Sequence, residues 1–77
     1  MGWNYRVLAN KYKDEIFFDI HEVYYSKNNK PNGYTENPVS VGGDSLKSIK
    51  HTLKKMKESL KKPILWGEDK FPSKYNG

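Results

Sequence analysis

The start of the chain alternates apolar and polar residues at the two-residue period of a half-buried β-strand. Trp3, Tyr5 and Val7 would share one face of a first strand that ends near Leu8. Residues 9–14 are polar and contain residues that tolerate a turn. We therefore predict a hairpin connection and an antiparallel second strand.

Two further strands are predicted before Gly42 and Gly43. Residues 15–25 are rich in β-branched and aromatic side chains, which favours a central strand, and a break in their alternation predicts a β-bulge near His21. The Asn-, Pro- and Gly-containing stretch 26–33 predicts a turn, and 34–41 a third strand. Pro38 indicates a sheet edge, because proline cannot donate to a strand ladder.

The second half of the chain has the period of an amphipathic helix. Asp44 or Ser45 can cap its first turn, and Pro63 ends it after about Lys62. The apolar positions recur at steps of three and four, which predicts one stripe facing the sheet. These positions are Leu46, Ile49, Leu53, Met56 and Leu60.

These elements predict an α+β fold, in which a three-stranded antiparallel β-meander packs against one C-terminal amphipathic α-helix in the order β-β-β-α. Residues 1–66 would form a single domain. Residues 67–77 lose the periodicity and gain Pro, Ser, Asn and Gly, so we predict a loosely ordered C-terminal tail.

Composition places the charge on the helix. The 77 residues carry a formal net charge of +5, and 44–62 holds seven lysines against Asp44 and Glu58. Basic and acidic residues cancel elsewhere, so we predict one basic ridge on a neutral remainder. The chain has no cysteine, and it shows neither a secretion signal nor an apolar stretch of membrane-spanning length. We therefore expect a cytoplasmic protein with no membrane role.

Catalytic and metal-binding patterns are weak in this sequence. His21 and Glu22 are adjacent and would point to opposite faces of a regular strand. Neither His21 nor His51 has partners at the spacing of a zinc site. Gly42 and Gly43 precede the helix but lack the lysine of a phosphate loop. We predict no catalytic residue, no metal and no cofactor.

Aromatic residues predict a surface for a partner. They exceed what one face of a three-stranded sheet can hide beneath a single helix, so some should lie on the open sheet face. A homodimer that joins two such faces, or two strand edges, would also stabilise a chain this short. The predicted partner-binding residues are Trp3, Tyr5, Arg6, His21, Tyr24, Tyr25 and Tyr34.

Lysines on the flank of the helix offer an alternative surface. A row of ammonium groups could meet successive phosphates of a nucleic acid, although solvated lysine-rich helix faces are also common. The row consists of Lys47, Lys50, Lys54, Lys57 and Lys61.

Four segments resemble a group of short uncharacterised proteins of bacteria and their phages. They are WNYRV at 3–7, IHEVYY at 20–25, TENPV at 35–39 and KPIL at 62–65. The resemblance covers about residues 3–65 and implies a shared fold without an activity. The element order is also similar, more weakly, to HicB-type antitoxin domains, and fold analogy alone does not transfer function.

Three functions follow in order of preference. The first is a small non-enzymatic interaction module, an accessory or counter-defence protein of phage origin, which binds a protein partner or itself through the aromatic sheet face. If phage-encoded, it would act in the host cytoplasm. The second is a phosphate-directed nucleic-acid binder using the lysine row. The third is an enzyme or small-ligand binder, which requires Arg6, His21, Glu22 and Tyr24 to converge in one pocket.

Overall fold

A long β-hairpin is the frame of the fold in a computed structural model, which describes residues 2–68 and 72–76. Strand β1 (Gly2–Tyr12) pairs antiparallel with β2 (Glu15–Tyr25) in a continuous register. The alternation of apolar residues predicted both strands, but β1 runs four residues further than Leu8. The predicted bulge near His21 is wrong, because the register shift lies at Tyr24 and Tyr25, against the next strand.

Within the described residues the sheet has five strands and is mixed. Strand β3 (Pro31–Tyr34) pairs antiparallel with β2, and β4 (Leu65–Trp66) pairs parallel with β1. Strand β5 (Ser73–Lys74) pairs antiparallel with β4, which gives the order β3-β2-β1-β4-β5. The chain is α+β as predicted, but the predicted three-stranded antiparallel meander is wrong.

The error lies in two segments: β3 occupies Pro31–Tyr34, largely within the predicted turn, instead of 34–41, and the segment that follows the helix adds two strands. Leu65 and Trp66 lie opposite Leu8 and Ala9 of β1, and the Gly67 amide continues the ladder to the Ala9 carbonyl at 2.9 Å. A strand of two residues has no alternation to detect, so its pairing depends on tertiary contact. Strand β5 lies within 67–77, where a tail was predicted; residues 69–71 and 77 of that tail lie outside the described residues.

The single helix described, α1 (Leu46–Ser59), begins as the sequence predicts. Ser45 is its N-cap, since its hydroxyl accepts a hydrogen bond of 3.1 Å from the Ser48 amide. Asp44 supports the same turn by accepting a hydrogen bond from the Ser48 hydroxyl. The helix ends before the predicted Lys62. From the Leu60 amide onward, which bonds to the Lys57 carbonyl, the hydrogen bonds span three residues instead of four.

The helix packs over β1 with a different stripe from the one predicted. Met56 and Ser59 are buried, whereas Leu46, Leu53 and Leu60 are exposed. The prediction that all five apolar positions face the sheet is therefore wrong for three of them. The helix is rotated so that the small polar residue Ser59 contributes to the contact with the sheet, and the three leucines lie at the flank of that contact.

The two faces of the sheet are covered differently. Trp3, Tyr5 and Val7 point to the same face of the sheet. Trp3 and Tyr5 line a cleft together with side chains of α1, so we call this face of the sheet the helix face. The opposite, far face holds the core cluster, in which Leu8 and Val23 are fully buried. This cluster also contains Leu65, with Tyr25 and Tyr34 packed against it.

The hairpin turn contains a strained residue, and its replacement gives a first prediction. Lys13 has φ of 57°, a left-handed conformation that a side chain with a Cβ disfavours. Lys13→Gly should raise the free energy of unfolding by about 0.5–1 kcal/mol, because glycine adopts this conformation without strain. Thermal denaturation followed by circular dichroism measures the change.

Lys27→Gly is the matched control for this prediction. Lys27 is an exposed turn lysine without positive φ, so the same loss of charge and side chain should bring no gain. Equal effects of the two changes would contradict strain at Lys13.

Candidate functional site

The residues predicted to bind a partner do not form one surface. Strand alternation and the register between β1 and β2 divide them between the two faces of the sheet. On the helix face lie Trp3, Tyr5 and Tyr24; on the far face lie Arg6, His21, Tyr25 and Tyr34. The single aromatic face expected from the sequence is thus split between the side near α1 and the core.

Arg6 on the far face holds the chain after the helix against the hairpin. Its guanidinium donates to the Pro63 carbonyl at 2.7 Å and to the Tyr25 hydroxyl at 3.0 Å. The Tyr25 hydroxyl donates in turn to the Asn4 side-chain oxygen at 2.7 Å. These contacts give Arg6 and Tyr25 a positioning role in the fold.

His21 is buried beside Arg6 in the pairing of β1 and β2. Its Nδ1 lies 2.9 Å from the Thr35 carbonyl, which can only accept, so the proton is on Nδ1. The ring meets Tyr34 edge to face with centroids 5.8 Å apart. Its Nε2 is buried without a hydrogen-bond partner among the described residues.

Glu22 and Tyr24 lie on the opposite side of the sheet from Arg6 and His21. The Tyr24 hydroxyl donates a hydrogen bond of 2.9 Å to the Glu22 carboxylate. This bond raises the pKa of the Tyr24 phenol above its usual value, because ionisation would lose the bond beside a negative charge. The four side chains therefore do not converge in the pocket that an enzyme or ligand binder at these residues requires.

The end of the hairpin carries exposed apolar side chains that the sequence pattern does not assign to a surface. Tyr12 and Phe17 are exposed on the far face and meet edge to face at 6.4 Å. On the helix face Phe18 contacts Tyr75, and Ile16 lies further along the strand. We call Tyr12, Ile16, Phe17 and Phe18 the hairpin patch.

Three leucines form an exposed apolar line, which we call the leucine stripe; two lie in α1 and Leu60 is its C-cap. Leu46, Leu53 and Leu60 are 77%, 50% and 70% exposed, whereas Met56 is only 7% exposed. At about 100° per residue, the three fall about 40–80° to one side of Met56. They follow one another at intervals of seven residues, so they line up along the helix.

The predicted lysine row runs beside the leucine stripe. Its five lysines are exposed. The four within α1 fall about 100–180° from Met56, on the same side as the leucines, and Lys61 follows in the turn after the helix. Lys61 lies 3.5 Å from the Glu58 carboxylate at the edge of the row. Together the stripe and the row give the helix an outer surface that is apolar on one strip and cationic on the next.

A cleft lies on the other side of the helix. It has a volume of about 600 Å³ and separates α1 from the start of β1, where Trp3 and Tyr5 contact each other edge to face at 5.1 Å. Lys55 and Lys62 line its helical wall with His51. We call it the tryptophan cleft; the sequence did not reveal it, because nothing in the pattern relates Trp3 to these lysines.

The described residues contain no helix long and apolar enough to cross a membrane. Within 2–68 and 72–76, no three His, Asp or Glu side chains gather closely enough to hold a metal ion. Comparison with models of protein families, with curated proteins and with solved structures finds no match to this chain.

Proposed function

We propose that this chain is a small non-enzymatic interaction module, which binds an acidic amphipathic helix of a protein partner. The contact surface is the leucine stripe, with the lysine row along its edge. The observation that carries the proposal is the exposure of Leu46, Leu53 and Leu60 in line beside five lysines. The separation of Arg6 and His21 from Glu22 and Tyr24 supports a role other than catalysis.

The spacing of the leucines supports a helix as the partner. A stripe repeated every seven residues is the narrow seam by which two helices pack, whereas helices that lie on a membrane use a broader apolar face. Ile49 and Met56 occupy the alternate positions of the same heptad pattern, and Met56 is already buried in this chain's own fold. The three leucines therefore remain for an external helix.

Charge complementarity supports an acidic partner. Residues 44–62 carry a net charge of +5, and five of their lysines adjoin the stripe. Two copies joined through this surface would bring these lysines together and repel each other. Glutamates and aspartates beside the apolar seam of the partner would instead pair with the lysine row.

The resemblance to short proteins of bacteria and phages agrees with an accessory or counter-defence role, which belongs to this proposal.

A designed peptide tests the chemistry of the proposed partner. We suggest an acidic amphipathic helix with leucines at heptad positions a and d and glutamates beside them, titrated by isothermal calorimetry. Leu46→Gln/Leu53→Gln/Leu60→Gln should weaken its binding at least tenfold, because the variant removes the apolar seam and keeps every lysine. The peptide with its residues scrambled is the control ligand.

A control variant separates the stripe from other apolar surfaces. Tyr12→Gln/Phe17→Gln/Phe18→Gln changes three exposed residues of the hairpin patch and should leave peptide affinity unchanged. Equal loss in both variants would contradict the proposal. A wild-type dimer in light scattering that the leucine variant converts to a monomer would identify a second copy as the occupant instead, and preferential binding to anionic vesicles would identify a membrane.

A further inference from the structure

Trp3 stands between two adjoining depressions at the start of β1. The tryptophan cleft and a second depression of about 350 Å³ share Trp3, Asn4 and Lys62 as lining residues. Arg6 and Tyr25 line the second depression. We call the two together the Trp3 groove.

The groove offers an aromatic platform. Trp3 is 52% exposed, and its interplanar angle of 85° with Tyr5 is that of an edge-to-face pair. In such a pair the edge of one ring meets one face of the other, so Tyr5 covers at most one of the two faces of the Trp3 indole. A free indole face is the surface on which a nucleobase stacks.

The groove is also cationic. Lys55 and Lys62 line it from the helix side, and Arg6 lines it from the strand. The hydrogen bonds of Arg6 go to a phenol and a peptide carbonyl, and neither of these neutral groups cancels its positive charge. The carboxylate of Glu58 also lines the cleft, but it lies 3.5 Å from the ammonium group of Lys61 outside it.

We infer that the Trp3 groove binds a segment of single-stranded nucleic acid. A base stacks on Trp3, and the phosphates on either side of that base lie near Lys55 and Lys62. Aromatic platforms beside cations that follow a phosphate backbone are the shared chemistry of single-strand binders. A duplex fits poorly, because its base faces are already stacked on one another.

This site is distinct from the lysine row predicted from the sequence. Lys55 falls about 100° from Met56 on the side opposite that row, and Lys62, in the turn after α1, lines the same cleft. The row has no aromatic ring in its helical pattern, whereas the folded chain brings Trp3 and Tyr5 beside the other two lysines. The inference is also independent of the leucine stripe, which faces away from the groove.

Binding of a fluorescein-labelled oligothymidylate of about ten nucleotides, followed by anisotropy at low salt, tests the inference. Trp3→Ala should weaken binding about 5- to 150-fold, since that is the usual loss when one stacking ring is removed. Trp3→Phe should recover part of the affinity, because phenylalanine keeps a flat face. Thermal denaturation of each variant confirms that it is folded, and Trp3→Phe decides the outcome if Trp3→Ala is not.

Two matched charge variants distinguish binding in the groove from general electrostatic attraction between the oligonucleotide and the lysines. Lys55→Gln/Lys62→Gln and Lys47→Gln/Lys54→Gln each remove two positive charges from exposed positions, but only the first pair lines the groove. The first should reduce the slope of log affinity against log salt by about 1.4, the value for two phosphates of a single strand. The second should leave that slope nearly unchanged.

Three results would overturn the inference. They are wild-type affinity in Trp3→Ala, equal loss in the two charge variants, and binding of a duplex of the same length as tightly as the single strand. None of them bears on the leucine stripe, so failure here and failure of the proposed partner helix are distinguishable.

Discussion

Leu8→Ala is expected to lower the free energy of unfolding by about 2–5 kcal/mol. Leu8 is fully buried on the far face, where it packs with Val23 and Leu65, and its removal would leave a cavity between three strands of the sheet. For a domain of this size, the loss corresponds to a fall in Tm on the order of 10–30 °C. Thermal and urea denaturation followed by circular dichroism would measure it.

The same substitution on the leucine stripe provides the control. Leu46→Ala should change the free energy of unfolding by no more than about 0.5 kcal/mol, because Leu46 is exposed at the first turn of α1. Comparable losses at Leu8 and Leu46 would mean that the stripe is buried in the isolated protein. That result would contradict the surface on which the proposed function depends.

Gly67→Ala should destabilise the fold by about 1–3 kcal/mol. A Cβ at Gly67 would stand 3.1 Å from a methyl carbon of Leu8 and would clash with the Asn10 side-chain oxygen. The backbone of Gly67 has little freedom to move away, because its amide bonds to Ala9 and its carbonyl accepts a hydrogen bond from Tyr34. Urea denaturation would give the loss.

Gly42→Ala is the matched control, since a Cβ there meets no atom of the described residues within 4 Å. It should leave stability unchanged or raise it by about 0.4–1 kcal/mol, because alanine restricts the unfolded chain. The double variant Asn10→Ala/Gly67→Ala should lose less than the sum of its two single changes, because removal of the amide relieves the closest contact. Strict additivity would show that the clash with Asn10 is not the cause.

The parts of the fold predictable from sequence are those with a local cause. Alternation of side chains over many residues predicts β1 and β2, and the residue types before the helix restrict its cap to Asp44 or Ser45, of which the structure shows Ser45. Strands β4 and β5 have two residues each, too few for any period. Their pairing depends on where the chain lies after it leaves α1, and no local sequence pattern specifies that position.

The rotation of the helix was unpredictable for a related physical reason. Steps of three and four describe equally a stripe that faces a sheet and the seam of a helix pair. The choice depends on which side chains fit over β1, and Ser59 fits there while Leu60 does not. The Trp3 groove was hidden for the same reason, because Trp3 and Lys55 become neighbours only after the helix is placed.

The parallel pairing of β1 with β4 has a consequence for the order of assembly. The two-residue connection lets β1 and β2 close as soon as both have been synthesised, whereas 57 positions separate Arg6 from Pro63 and Lys11 from Glu68. Until the ribosome has released residue 65, the β1 edge at Leu8 and Ala9 therefore lacks its final neighbour. During that interval the nascent hairpin offers an open strand to any other chain, and a chaperone that shields it would protect the yield of folded protein.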